Sequence, residues 1–277
     1  MQLSLLILDP LNPAMLSERY LEKASGKEEL YSREKLIKSL VSSGLDESSA
    51  ISIAEDVEKI EGIRTTRDLY DAVRSILLRT NPEVAARYSL KDAIMRLGPT
   101  GFPFEEYVAE ILRELGHGVR THQFIRGKCV THEIDLLIDE EVIGECKYHN
   151  ERGIYTGLKE AMYTYMRFLD IRQVRELRGV LLVTNTKFSD QAIEFSRCYG
   201  LDLLGWKYPP GEGLEVKIER SKMYPITVLS GLIPESEIRD LIGAGFVSTR
   251  DLIEKGADIS EDLLGVIRRL HGGDNPV

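Results

Sequence analysis

Two carboxylates and a lysine interrupt an otherwise apolar stretch of the chain, THEIDLLIDEEVIGECKYHN at residues 131–150. Asp135 lies in the run EIDLLID, and Glu145 and Lys147 lie two residues apart in the run VIGECKY. The two runs predict β-strands, and the acidic residues 139–141 between them predict a tight turn. Because side chains alternate between the faces of a strand, Glu145 and Lys147 share a face, and the turn can bring Asp135 across from Glu145.

Carboxylates that lie together on a sheet are costly unless a cation sits between them. Mg²⁺, or Mn²⁺ in its place, prefers hard oxygen ligands, so Asp135 and Glu145 could each supply one oxygen and the backbone carbonyl of Cys146 a third. Lys147 would then lie beside a metal-bound water or a scissile phosphate. These are the components of metal-assisted phosphodiester hydrolysis.

The first strand also predicts which of its side chains face the core. Ile134, Leu136 and Ile138 alternate and are expected on the core side, which places Asp135 on the opposite side together with Leu137. If that opposite side faces solvent, the charges form an ordinary salt-bridge ladder along the hairpin. The spacing alone therefore leaves both interpretations open.

The helix predicted from PFEEYVAEILRELG supplies a third carboxylate. Its apolar residues form one stripe on a helical wheel; they are Phe104, Val108, Ile111, Leu112 and Leu115. Glu105 lies at the edge of this stripe and is expected to lean over the sheet toward Asp135. Glu106 lies nearly opposite the stripe and is expected to be solvated.

Four of the five histidines lie in the same region, at His117, His122, His132 and His149. None of the pairs has the HxxxH or HExxH spacing of a zinc site. His149 continues the alternation from Lys147 and is therefore expected beside the site, where it could contact phosphate or water. We expect His132 to be a polar residue at the end of its strand.

Composition limits the class of protein. The chain has 277 residues, 43% of them hydrophobic and 29% charged, which is typical of a soluble globular protein. Its three cysteines have no CxxC spacing, and no signal peptide or membrane segment is evident, so we expect a reduced, cytoplasmic protein. A net charge of −9 excludes DNA binding through bulk positive charge, so a DNA contact must be local or aided by metal ions.

The periodicity of the sequence changes along the chain and predicts four segments. Residues 1–96 predict an N-terminal strand, a small hairpin and four helices. Residues 97–208 predict an α/β domain with a mixed central sheet flanked by helices. Residues 209–222 predict a linker, and residues 223–277 predict a small helical domain.

Residues 98 to 207 resemble the PD-(D/E)xK nuclease superfamily and, within it, the Mrr-like restriction endonucleases. The matching pieces are GPTGFPFEEYVAEILRELG, EID, GECK and VLLVTNTKFSDQAIEFSRCYGLDLL. The resemblance implies a restriction-endonuclease-like core and Mg²⁺-dependent cleavage of DNA. The site that it implies consists of Glu105, Asp135, Glu145 and Lys147. The proline of the superfamily's name is replaced here by Ile134. Double-strand cleavage would need two such sites, which favours a homodimer.

The stretch LEKASGKEELYSREKLIKSL and the helices after it resemble the ATP-cone domain, which implies binding of ATP or dATP. Lys23, Gly26, Lys27 and Lys35 match the basic residues and the glycine turn of that pattern, and lysines beside a helix N-terminus can bind phosphates. The sequence departs from the pattern after Lys23, where alanine and serine replace a basic and an acidic residue. A helical bundle used for oligomerisation or docking is the alternative.

The C-terminal stretch LIGAGFVSTRDLI resembles a helix-hairpin-helix motif, in which glycines let backbone N–H groups approach a DNA phosphate. Gly243 and Gly245 match the hairpin glycines, and Arg250 is a candidate phosphate contact. A small helical packing domain with a glycine turn is the alternative.

Taken together, these patterns predict a Mg²⁺-dependent endodeoxyribonuclease that ATP or dATP regulates. The competing interpretation is a non-catalytic, nucleotide-responsive DNA-binding protein that keeps the nuclease fold as a scaffold. A third interpretation is an ATP-sensing regulator of another enzyme.

Overall fold

The computed structural model describes residues 20–23, 26–151 and 153–272, and it divides into two compact units, Met1–Tyr88 and Ser89–Val277. The boundary falls earlier than the predicted one at residue 96. The predicted N-terminal strand lies outside the described residues. No helix in the described part of the chain combines the length and apolar character needed to cross a membrane.

The first unit contains a small hairpin and four helices. Its elements are β1 (Tyr20–Glu22), β2 (Glu28–Leu30), α1 (Arg33–Ser42), α2 (Glu47–Glu58), α3 (Thr66–Thr80) and α4 (Pro82–Tyr88). The two strands pair antiparallel, as predicted. Side chains of Ser32, Asp46 and Thr65 accept hydrogen bonds from backbone N–H groups in the first turns of α1, α2 and α3, so these helices begin at their capping residues. Apolar residues of all four helices form one core with Leu21 and Tyr31.

The second unit begins where the predicted fourth helix divides. Its first elements are α5 (Leu90–Ile94), α6 (Phe102–Glu114), β3 (Val119–Arg126), β4 (Thr131–Ile138), β5 (Val142–Lys147), β6 (Tyr155–Thr156), α7 (Leu158–Arg172) and β7 (Gly179–Thr184). They are followed by β8 (Lys187–Phe188), α8 (Asp190–Tyr199), β9 (Asp202–Leu204), α9 (Leu214–Ser221), a 3₁₀ turn (Ile226–Leu229), α10 (Glu235–Gly243), α11 (Thr249–Glu254) and α12 (Glu261–Leu270).

A five-stranded sheet forms the centre of this unit, in the order β3-β4-β5-β7-β9. Strands β3, β4 and β5 pair antiparallel, and β5, β7 and β9 pair parallel. Parallel neighbours need crossover connections, which α7 and α8 provide. The predicted mixed sheet flanked by helices is confirmed.

Helices cover both faces of this sheet. Leu137 and Ile143 lie in one core with Phe168 of α7, whereas α6 contacts β3 and β4. The prediction that Leu137 faces away from the core is therefore wrong, because the side of the strand that carries Leu137 is itself covered by α7 and Leu137 is 1% exposed. Ile134, Leu136 and Ile138 are buried as predicted. Alternation in a strand separates two faces, but it does not say that one of them is left to solvent.

The predicted linker at residues 209–222 contains a helix instead. Helix α9 contacts α6, and Tyr107 of α6 donates a hydrogen bond from its hydroxyl to the carbonyl of Met223 at 2.5 Å. The C-terminal helices accordingly belong to the same compact unit as the sheet. Two short helices, α10 and α11, flank the Gly-Ala-Gly turn, as predicted.

Candidate functional site

The β4–β5 hairpin brings Asp135 and Glu145 together at its open end. Leu136 pairs with Gly144, so the next position along β4 places Asp135 opposite Glu145. The Asp135 carboxylate accepts a hydrogen bond from the backbone N–H of Cys146 at 2.7 Å. The predicted juxtaposition across the turn is present, and Glu145 is only 5% exposed. A pair of carboxylates of which one is buried and the other half-buried is not a surface salt-bridge ladder.

Two cations hold the carboxylate of Glu145. Lys147 Nζ lies 2.6 Å from Glu145 Oε1, and Arg167 Nη1 contacts Glu145 Oε2. Arg167 comes from α7 and is 9% exposed. Sequence analysis did not single out Arg167, although a signal was available: it shares a helix face with the buried residues Thr164, Phe168 and Ile171. An arginine in the middle of an apolar helix face needs a buried anion.

Glu105 of α6 completes the group of carboxylates. Burial, followed by the charges of Asp135 and Glu145, raises the pKa of Glu105 to about 7. Burial and then the charge of Glu145 raise the pKa of Asp135 to about 6. The charges of Asp135 and Glu145 thus act on Glu105, and the charge of Glu145 acts on Asp135, so the carboxylate of Glu105 lies near those of the two strands. Lys147 lowers the pKa of both groups without cancelling the shift.

His122 of β3 lies over the first turn of α6. Its Nδ1 is 3.5 Å from Glu105 Oε2, and its Nε2 is 3.2 Å from Glu106 Oε1. Its ring stacks on Phe102 at 4.5 Å between centroids and 12° between planes. Glu106, which was predicted to be solvated, is half-buried, and its carboxylate lies beside the histidine ring.

No sequence pattern identifies His122 as a neighbour of the site. Its φ angle is 52°, a left-handed conformation that is uncommon for residues other than glycine. This conformation interrupts the pairing of β3 with β4 opposite Asp135. The position of the ring depends on this backbone irregularity, which alternation cannot predict.

His149 and His132, which the sequence predicts at the ends of β5 and β4, each have a polar side chain within hydrogen-bond distance. His149 Nε2 lies 3.0 Å from Thr156 Oγ1, and burial lowers the pKa of His149. His149 thus faces a hydroxyl group, and its role beside the site stays a prediction. His132 Nε2 lies 2.8 Å from Asp170 of α7, which also accepts a hydrogen bond from the N–H of Cys129. His132 is the polar strand-end residue that was predicted.

The donor set suits a hard divalent cation. Within residues 20–23, 26–151 and 153–272, no group of three or more His, Cys, Asp or Glu side chains is already arranged to hold a metal ion. Mg²⁺ rarely uses such a cage; it takes one or two carboxylates and completes its shell with water and substrate phosphate. Asp135 and Glu145 supply that number. Burial raises the pKa of the Cys146 thiol well above its usual range, so its side chain is a poor ligand, and the role of its carbonyl stays a prediction.

Two of the three predicted nucleotide-binding lysines meet in the first unit. Lys23 Nζ lies 2.6 Å from Glu29 Oε2, and Lys35 Nζ contacts Glu29 Oε1. These lysines hold the pKa of Glu29 at about 2. Lys27 is exposed and does not join them. A cavity of about 190 Å³ lies beside Glu29 and Lys35, and it is also lined by Tyr31.

The predicted DNA contacts of the C-terminal segment are engaged within the protein. The N–H of Gly245 donates to the carbonyl of Ile242 at 3.0 Å, and the flanking amides of Ala244 and Phe246 also donate to carbonyls of α10. Nothing lies within 4 Å of the position of a Cβ on Gly243 or Gly245, so both glycines border open space.

The guanidinium of Arg250 is also bound within the protein. Its Nη1 lies 2.5 Å from Glu114 Oε2, and its Nη2 donates to the carbonyl of Ser221 at 3.2 Å. A phosphate would have to displace these contacts, so DNA binding by Gly243, Gly245 and Arg250 stays a prediction.

The fold and the site together define a mixed α/β protein with buried carboxylates and a lysine at the end of its central sheet. No known family model matches the chain. An uncharacterized protein of Archaeoglobus fulgidus is 42% identical over 154 residues, which make up 54% of this chain and 86% of that protein. The chain belongs to the same family as this archaeal protein.

Two solved structures are also similar. The crystal structure of a protein of unknown function is 37% identical, with a TM-score of 0.51, and covers 63% of this chain and 100% of its own. The MspJI restriction endonuclease, solved with a 27-mer oligonucleotide, is 14% identical, with a TM-score of 0.34 over 58% of this chain and 35% of its own. The structural similarity to the MspJI restriction endonuclease is too low to support an argument about function.

Replacing Asp135 by asparagine should stabilise the metal-free protein. An acid whose pKa rises on folding costs stability only where it is ionised, so the cost grows between pH about 4 and about 6 and is complete above that. The asparagine side chain would keep an acceptor for the Cys146 N–H and remove the buried charge. We expect Asp135→Asn to gain about 1–3 kcal/mol above pH about 7 and nothing near pH about 4, measured by urea unfolding in EDTA. A gain that is independent of pH would contradict the electrostatic cause.

Replacing Arg167 by methionine should destabilise the protein, because Glu145 would keep only one of its two cations. Removing one partner of a buried ion pair costs about 3–5 kcal/mol, and the remaining Lys147 should reduce the loss to about 2–4 kcal/mol. The matched control is Arg172→Met on the same helix, where the arginine is exposed and rests on the ring of Phe168. Urea unfolding should separate the two variants. Equal losses would mean that Arg167 acts only through apolar packing.

Proposed function

We propose that this protein is a Mg²⁺-dependent endodeoxyribonuclease that uses Glu105, Asp135, Glu145 and Lys147. The observation that carries the proposal is the gathering of three carboxylates, in which burial and then the charge of neighbouring carboxylates raise the pKa of Glu105 and of Asp135 beside the buried Glu145. Like charges gathered in this way destabilise a fold, and proteins keep such arrangements mainly where chemistry needs them. The resemblance of residues 98–207 to Mrr-like nucleases agrees in chain order with all four residues.

Each residue would have a distinct task at a scissile phosphate. Asp135 and Glu145 would hold Mg²⁺ or Mn²⁺, which when bound supplies an activated water and charge stabilisation on the phosphate. Lys147, kept in place by Glu145, would orient the attacking water or bind a phosphate oxygen. Glu105, with a pKa of about 7, is suited to accept a proton near neutral pH.

The contact between Arg167 and Glu145 favours a second candidate. An arginine can neutralise a catalytic carboxylate permanently, and the domain would then bind DNA without cutting it. In the nuclease, by contrast, Arg167 would release Glu145 to a metal ion or share Glu145 with it. Activity distinguishes the two candidates.

The first test is cleavage of supercoiled DNA with Mg²⁺ or Mn²⁺ by the wild type, Asp135→Asn and Lys147→Met. We expect metal-dependent cutting that each variant reduces by about a hundredfold or more, which is typical for loss of one group that stabilises the transition state. Glu176→Gln is the control, since Glu176 follows α7 in the same unit and is exposed; it should stay within about twofold of the wild type. Linear rather than nicked product would support a homodimer with two sites.

Failure of the wild type to cut any DNA in either metal, while DNA is still bound, would overturn the nuclease and favour the non-catalytic candidate. Equal cutting by Asp135→Asn and the wild type would point to a contaminating nuclease.

We also propose that the first unit binds an adenine nucleotide, ATP or dATP, through Lys23 and Lys35. Glu29 now holds both lysines, so a triphosphate would have to take its place between them.

Calorimetry should show that Lys35→Ala weakens ATP binding about tenfold and that Glu29→Gln strengthens it, because the lysines are released. Lys59→Ala, which removes an exposed lysine paired with Asp56, is the control. Absence of saturable binding in all forms would reject the effector site and leave a helical bundle for docking.

A further inference from the structure

An aromatic side chain next to the carboxylates is left open to solvent. Phe102, at the start of α6, is 56% exposed. Its ring stacks on His122, whose Nδ1 lies 3.5 Å from Glu105. The histidine therefore fixes the phenylalanine beside the site and occupies one side of its ring. The phenylalanine ring therefore offers its other face, next to the carboxylates, to a planar ligand.

A second exposed ring stands at the other end of the carboxylate group. Tyr163 of α7 is 56% exposed, and the guanidinium of Arg167 lies 5.2 Å from its ring centroid. Arg167 in turn contacts Glu145. Each end of the site is thus joined, through one intervening residue, to an aromatic side chain that faces solvent.

We propose that Phe102, backed by His122, is a stacking platform for an unpaired nucleobase of the DNA whose backbone lies at the carboxylates. The inference rests on the proposed nuclease function and names the substrate class: DNA with unpaired or splayed bases near the scissile phosphate. In an intact duplex both faces of every base are covered by neighbouring bases, so a ring on the protein finds no partner. An unpaired base can leave the stack and cover the ring.

The charge of the protein makes such a platform useful. At a net charge of −9 the chain cannot hold DNA through a broad basic surface. Base stacking on an aromatic ring adds affinity that does not depend on phosphate neutralisation, and it tolerates any base because each has a π-face. Stacking near the site would therefore supply both binding energy and selectivity for disrupted DNA.

The test compares two oligonucleotide duplexes of equal length, one fully paired and one with a short central unpaired segment. A fluorescent adenine analogue in that segment, whose emission falls on stacking, reports the base directly. Binding is measured in Ca²⁺, a hard cation used in place of Mg²⁺, and cleavage is measured in Mg²⁺. We expect the wild type to bind the disrupted duplex at least about tenfold more tightly, to quench the analogue and to cut near it.

Matched variants isolate the ring. Phe102→Tyr keeps a π-face and should keep the preference, whereas Phe102→Leu keeps apolar bulk without one and should lose both quenching and preference. Phe102 is exposed at the start of α6, so we expect neither substitution to prevent folding. Phe124→Leu removes an even more exposed ring, 72% accessible on β3, that stacks on no aromatic neighbour among the described residues. It should behave as the wild type.

The outcomes separate this inference from the proposed function. If the wild type cuts both duplexes at the same metal-dependent rate, and Phe102→Leu leaves that rate unchanged, the stacking platform is rejected. The proposed nuclease function is then still supported. A preference that survives in Phe102→Leu or is lost equally in Phe124→Leu would also overturn it. Absence of cutting on every DNA, with the stacking preference intact, would reject the nuclease and keep the platform as a binding site.

Discussion

The repulsion between carboxylates at the open end of the β4–β5 hairpin is the constraint around which the second unit is arranged. Asp135, Glu145 and Glu105 come from two strands and a helix; Glu145 is buried, and Asp135 and Glu105 are half-buried. Such a group can exist only if cations lie nearby, and Lys147 and Arg167 meet that need. The crossover helix α7 therefore connects two parallel strands and also supplies a counter-charge.

The apolar framework supports this arrangement from both faces. Leu137 and Ile143 pack with α7, while Phe104 and Val108 of α6 are fully buried. A residue at the edge of the stripe on α6 is then held at the margin of the core, where its carboxylate is only partly hydrated. The raised pKa of Glu105 thus follows from helix periodicity combined with close packing.

Features that depend on local periodicity could be predicted from the sequence. The two strands, the turn at residues 139–141 and the approach of Asp135 to Glu145 follow from alternation, and the edge position of Glu105 follows from the helical wheel. Contacts between distant segments could not be predicted so directly. Arg167 meets Glu145 only because α7 crosses back over the sheet, and His122 meets Glu105 only because its backbone is left-handed. The burial of Leu137 could not be predicted for a similar reason, because alternation does not show whether helices cover one face of a sheet or both.

Helix α7 has a further property that follows from the contacts of Arg167 and Asp170. These residues are three positions apart, so they lie on neighbouring parts of one helix face, and they carry opposite charges to two separate places on the sheet. An apolar helix face can slide along a sheet by a turn and still be buried, because leucine and phenylalanine accept many neighbours. A positive and a negative group at fixed separation cannot, because a one-turn shift would separate Glu145 and His132 from their partners on α7. The contacts of Arg167 and Asp170 therefore help to fix the position of α7 along the sheet, in addition to the apolar packing of its face.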